Sequence, residues 1–126
     1  MKEALQDSGL ALDSVDYINM HGTSTPLGDI SESKAIQGVF GEHALKMNVS
    51  STKSMTGHLL GAAGVVEAIA SILAIHHKTI PPTINHFTDD PECLLNYTFH
   101  KPVQREVNVA ISNTFGPNTL LSFKVW

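Results

Sequence analysis

Val15-Asp16-Tyr17-Ile18-Asn19-Met20-His21-Gly22-Thr23-Ser24-Thr25-Pro26 passes from a short apolar run into a polar turn. Residues 29–40 then carry Ile30, Ala35, Ile36 and Val39 at helical spacing. The order is strand, loaded loop, helix. It occurs a second time, with residues 46–50 as a strand, Ser51-Thr52-Lys53-Ser54-Met55-Thr56-Gly57-His58 as a second polar loop, and residues 61–77 as a second helix. Strands alternating with helices predict an α/β fold, a sheet flanked by helices. In such sheets ligands collect in the crevice beyond the carboxyl ends of the strands, so two loops leaving strands there predict one shared site.

Working outward, residues 1–9 read as the end of a helix stopped by Gly9, as though the chain were cut inside an element. The second helix is apolar almost all round, through Ala62, Val65, Val66, Ala68, Ile69, Ile72, Leu73 and Ile75, which predicts burial. It is slightly short for a membrane span, and Glu67 interrupts it. Gly57, Gly61, Ala62, Ala63 and Gly64 put small residues at its start, where backbone or a ligand can approach closely. Ile80-Pro81-Pro82-Thr83 ends the helix, a loop fills residues 85–94, and strands are predicted over 97–99, 107–113 and 120–126.

A length of 126 residues suits one domain, 1–126, with a real core. The net charge is −4 and the 8 lysines and arginines are scattered from Lys2 to Lys124, which argues against a nucleic-acid footprint. The single cysteine, Cys93, leaves no internal disulfide and no Cys-rich zinc site. Beside Asp89, Asp90 and Glu92 it is also a poor nucleophile, because acids disfavour the thiolate. With no His-x-x-x-His or Cys-x-x-Cys pair, no metal is expected. The charged opening lacks the apolar core of a signal peptide, so the expected protein is cytoplasmic and soluble, without membrane or nucleic-acid partners.

The residues that could carry chemistry sit in the two loops. His21 stands at a strand end among Thr23, Ser24 and Thr25, either presented to a crevice or bonded only to its own loop. His58 follows Lys53, whose charge disfavours an imidazolium and so keeps a neutral ring able to donate from one nitrogen. Its bland alternative is a histidine at a helix start, unrelated to a solvated lysine. Glu67, on an apolar helix, must be paired, protonated or ion-bound. His76 and His77 suit a helix C-terminus, and His43, His86 and His100 have loop-like settings.

The stretches His21-Gly22-Thr23-Ser24-Thr25-Pro26-Leu27-Gly28-Asp29 and Val49-Ser50-Ser51-Thr52-Lys53-Ser54-Met55-Thr56-Gly57-His58-Leu59-Leu60-Gly61-Ala62-Ala63-Gly64 closely resemble signatures of the β-ketoacyl-acyl carrier protein synthases of the KAS I/II type, in the thiolase superfamily. Pro81-Pro82-Thr83-Ile84-Asn85 and Ser112-Asn113-Thr114-Phe115-Gly116 extend the likeness over nearly the whole chain. The resemblance implies the C-terminal thiolase-like half of a condensing enzyme of fatty acid biosynthesis, a mixed sheet flanked by helices, with the 61–77 helix sandwiched between two such halves. It implies that His21 and His58 stabilise the enolate formed when a malonyl thioester loses carbon dioxide, with Lys53 tuning them. Thr23 and Thr25 would hydrogen-bond a phosphopantetheine arm, Glu67 would organise Lys53, and Phe115 would be a substrate-binding residue. No cofactor is bound tightly, since phosphopantetheine arrives on acyl carrier protein, the partner that brings the acyl or malonyl thioester. An N-terminal half-domain carrying the nucleophilic cysteine and a homodimer in the parent enzyme are implied as further partners.

Two departures qualify the likeness. The family nucleophile lies in the N-terminal half, and nothing before Val15 supplies it, so this chain alone should not condense anything. After Phe115-Gly116 the family's glycine-rich Phe-Gly-Gly stretch is replaced by Pro117-Asn118-Thr119, which predicts a tight turn without a gating aromatic. The missing cysteine leaves two rivals open: a non-catalytic chain that binds acyl carrier protein or a synthase, and an inactive fragment.

Overall fold

A computed structural model describes residues 1–115 together with the backbone of residues 121–124. Helix α1 (Lys2–Ser8) ends at Gly9 in the left-handed conformation, as the sequence predicts, and leads through a 3-10 turn to strand β1 (Tyr17–Asn19). Helix α2 (Pro26–Phe40) starts earlier than periodicity indicated, because Thr25 takes the extended cap conformation and Pro26 fills the first turn, where its missing N–H costs nothing. Strand β2 (Asn48–Ser50) follows a 3-10 stretch, and Lys53 lies in a short helix α3 (Lys53–Thr56), where a loop was expected. After another 3-10 turn comes α4 (Ala63–His77), then β3 (Thr79–Ile80), β4 (Val103–Gln104), β5 (Val109–Ser112) and β6 (Leu121–Lys124).

The main sheet is mixed, in the order β2-β1-β5-β6, with β1 parallel to both β2 and β5 and with β6 antiparallel to β5. Three neighbouring parallel strands therefore release their chains at one sheet edge. Alternation along the strands divides the core. Ile18, Val49, Val109 and Ile111 pack with Ile36 and Phe40 of α2, while Tyr17 and Ala110 pack with Ala74 and Ile75 of α4.

Two expectations need correction, and one pairing was not foreseen. Residues 97–99 do not form a strand of a ladder: Tyr97 bridges Val49 whereas Phe99 bridges Thr83, so the segment changes partner after a single contact with each. A short antiparallel ladder of β3 with β4, which lie 22 residues apart in the chain, was not foreseen, its register pairing Thr79 with Gln104 and Ile80 with Val103. Helix α4 is buried on one flank only, through Ala63, Glu67, Ala68, Ser71, Ala74 and Ile75, while Val65 is 63% and Ile69 52% exposed. At its early glycines a Cβ built at Gly61 or Gly64 meets nothing within 4 Å among the described residues, so no backbone of this chain packs closely there. Leu60–His77 reaches a mean hydropathy of 1.5, enough by length and composition to cross a membrane, yet its flank against the sheet is that of a core helix. The Gly116–Pro117 junction, and with it the expected tight turn, lies outside the described residues.

Candidate active site

Strand order positions the site. The chain leaves β1 through Met20 to His21, leaves β2 through Ser51 and α3 to His58, and leaves β5 through Asn113 and Thr114 to Phe115. The rings of His21 and His58 meet edge to face with centroids 5.3 Å apart, and the Phe115 ring lies 5.1 Å from that of His21. The two loops the sequence singled out do converge.

Backbone amides fix which nitrogen of each ring holds the proton. The Phe115 N–H donates to Nδ1 of His21 at 3.3 Å, and the Leu60 N–H donates to Nδ1 of His58 at 3.0 Å. A nitrogen that accepts is unprotonated, so each neutral ring carries its hydrogen on Nε2. Partial burial, the Lys53 ammonium and neighbouring His58 push the His21 pKa down, with Glu67 acting against them. The sequence attached Lys53 to His58; in the structure its charge bears on His21.

Lys53 and Glu67 form a buried ion pair, and the Thr114 hydroxyl donates to the second Glu67 oxygen at 2.8 Å. The carboxylate on the apolar helix is thus paired, one of the outcomes its burial required. Thr23 and Thr25 stand with their hydroxyls 3.5 Å apart, and a Cβ at Gly28 would come within 2.2 Å of the Thr25 oxygen. Both threonines line a cavity of about 1000 Å³ together with Lys53, His58, Thr83 and Asn85. His21 does not line it, its ring being turned to His58 and Phe115. The weaker histidines have structural contacts: His43 bonds to the Val15 carbonyl oxygen, and His86 stacks on Phe99 and pairs with Asp89.

Sequence reasoning missed Glu32. This residue is buried on α2, where it accepts the His21 N–H at 2.8 Å and the Gly22 N–H at 2.9 Å on separate oxygens, with the Asn113 amide as third donor. It therefore anchors the backbone from which the His21 ring projects. Burial raises its pKa, against the opposing pull of those donors. The signal was present, because Glu32 falls on the same helical face as Ile36 and Phe40. Asn19 was missed as well; its carboxamide accepts the Thr52 N–H at 3.2 Å and donates to the Thr52 hydroxyl at 2.9 Å, bracing the start of α3.

By fold the chain resembles part of a ketosynthase. It superposes on a β-ketoacyl synthase from Burkholderia phymatum with a TM-score of 0.85 at 38% identity, covering 92% of this chain and 28% of that one. It matches a type II polyketide ketosynthase, solved in complex with its acyl-carrier protein, with a TM-score of 0.85 at 40% identity over 88% of this chain and 27% of that one. Residues 1–87 match the family described as the β-ketoacyl synthase, C-terminal domain, and the chain belongs to that family. It is 52% identical to the 3-oxoacyl-acyl-carrier-protein synthase 2 of Synechocystis over 96% of this chain and 30% of the relative. It is 51% identical to the synthase of that name from Coxiella burnetii over 92% of this chain and 28% of the relative. Nodulation protein E of Rhizobium meliloti is 46% identical over 98% of this chain and 32% of its own length. The chain thus spans less than a third of the length of these relatives.

Proposed function

We propose that this chain supplies the malonyl-handling half of a 3-oxoacyl-acyl carrier protein synthase, with His21 and His58 as paired Nε2–H donors to one thioester oxygen. The observation that carries the reading is the pair of backbone amides on the two Nδ1 atoms. In the reaction the bond between the malonyl carboxylate and the α-carbon breaks, carbon dioxide leaves, and the electron pair moves onto the thioester oxygen as an enolate. Two neutral N–H groups aimed at that oxygen stabilise it as charge develops, with no proton needing to transfer. The enolate carbon then attacks an acyl thioester held on a cysteine of an N-terminal half, and the open flank of α4 is the surface that half would cover. Thr23 and Thr25 at the cavity receive the phosphopantetheine arm delivered by acyl carrier protein, so no tightly bound cofactor is needed, and the setting is cytoplasmic. Lys53 disfavours the charged form of His21, Glu67 holds Lys53, and Phe115 packs over His21.

The test is acetyl-thioester formation from a malonyl-pantetheine thioester by this chain, with His58→Ala as control. Slow decarboxylation that falls by roughly a hundredfold or more in the variant is expected, the scale of losing one oxyanion donor. A rate unchanged by the substitution counts against the reading and in favour of a non-catalytic binding role.

A further inference from the structure

Pro81-Pro82-Thr83-Ile84-Asn85 is the motif that the chemistry above leaves without a task. Its backbone is tied on both sides, the Thr83 N–H donating to the Thr98 carbonyl oxygen at 2.8 Å and the Thr83 carbonyl oxygen accepting the His100 N–H at 2.9 Å. From this fixed position the Thr83 hydroxyl oxygen accepts the Ser51 N–H at 2.8 Å. The hydroxyl of Ser51, a buried residue, donates in turn to the Gly22 carbonyl oxygen at 2.9 Å. The contact with Gly22 is tight: a Cβ there would lie 2.7 Å from the Ser51 Cβ, and its φ of +35° suits glycine. A second strut runs alongside, since the Ile84 N–H donates to the Ser54 hydroxyl at 2.9 Å, and that hydroxyl donates to the Ser51 carbonyl oxygen at 2.9 Å. Thr83, Ile84 and Asn85 meanwhile line the cavity that holds Lys53 and His58.

We propose that Thr83 is a positioning residue for His21, acting through Ser51 and Gly22, so that the cavity wall at residues 83–85 and the loop presenting the His21 ring move as one body. Thr83 need not touch substrate to do this. The inference rests on the functional reading only in naming His21 as the group worth positioning, and its test needs no activity.

The experiment is nuclear magnetic resonance on the 15N-labelled chain, comparing Thr83→Val, which keeps the shape and loses the acceptor, with Thr83→Ser, which keeps the oxygen. In Thr83→Val the Ser51 amide should exchange roughly three- to tenfold faster, as for a lost hydrogen bond, and the Gly22 amide and His21 ring signals should shift. Thr83→Ser should leave all three as they were. Ser51→Ala, cut one link further on, should move the Gly22 and His21 signals while the residue-51 amide stays protected. Should Thr83→Val not fold, Ser51→Ala and Thr83→Ser decide alone. Gly22 and His21 signals unmoved in Ser51→Ala, or in a folded Thr83→Val, would overturn the proposal and leave Thr83 a local loop contact.

Discussion

Burial and the Lys53 ammonium both act against a protonated His21, and the proton balance follows from that. Its folded-state pKa lies below the ordinary 6.5, so on acidification the unfolded chain binds this proton first. The residue therefore leaves stability unchanged well above 6.5 and removes it as pH falls through 6.5 towards the folded value. Titration of the His21 ring by resonance should give a midpoint under 6.5, with unfolding free energy declining over the same interval; a midpoint above 6.5 contradicts the electrostatics. The Lys53–Glu67 pair makes a second prediction. Lys53→Met alone leaves a carboxylate buried without its cation and should cost about 3–5 kcal/mol in urea unfolding, whereas Lys53→Met with Glu67→Leu should cost much less. Equal losses in the single and double variants would show that the pair is not the source.

Helix α4 carries the clearest consequence among the elements. Its sequence reads as buried all round, yet Val65, Ile69, Ile72 and Leu73 are exposed, because the sheet covers only the flank bearing Glu67 and Ser71. Covering one such side chain is worth about 1.5–3 kcal/mol, so four of them approach the stability of a small domain. The purified chain should bind a hydrophobic dye or self-associate, and Ile69→Asp should weaken both; sedimentation as a compact monomer that binds no dye counts against this. The first strand was legible as a short apolar run ending in a polar turn, as at Tyr17-Ile18-Asn19. The β3–β4 pairing was not, since two residues carry no period, and neither was the 97–99 segment, whose partners are chosen by tertiary contact.

At the scale of the molecule, the site is assembled from sequence-distant segments. The amide that sets the His21 tautomer is 94 positions away, and the Asn113 amide reaches Glu32 across 81. Local reading singled out His21, His58, Lys53, Thr23 and Thr25 because each follows a strand in a polar stretch. It missed Glu32 and Asn19, because a polar residue inside a helix or strand announces burial only when its neighbours on the same face are counted. What no local pattern states is the direction of each ring, which depends on three strand ends meeting at one edge. The direct test is therefore the 15N signals of the His21 and His58 rings in the neutral chain. Both rings should show a bare Nδ1 and a protonated Nε2; a proton on Nδ1 of either ring would contradict the paired-donor account.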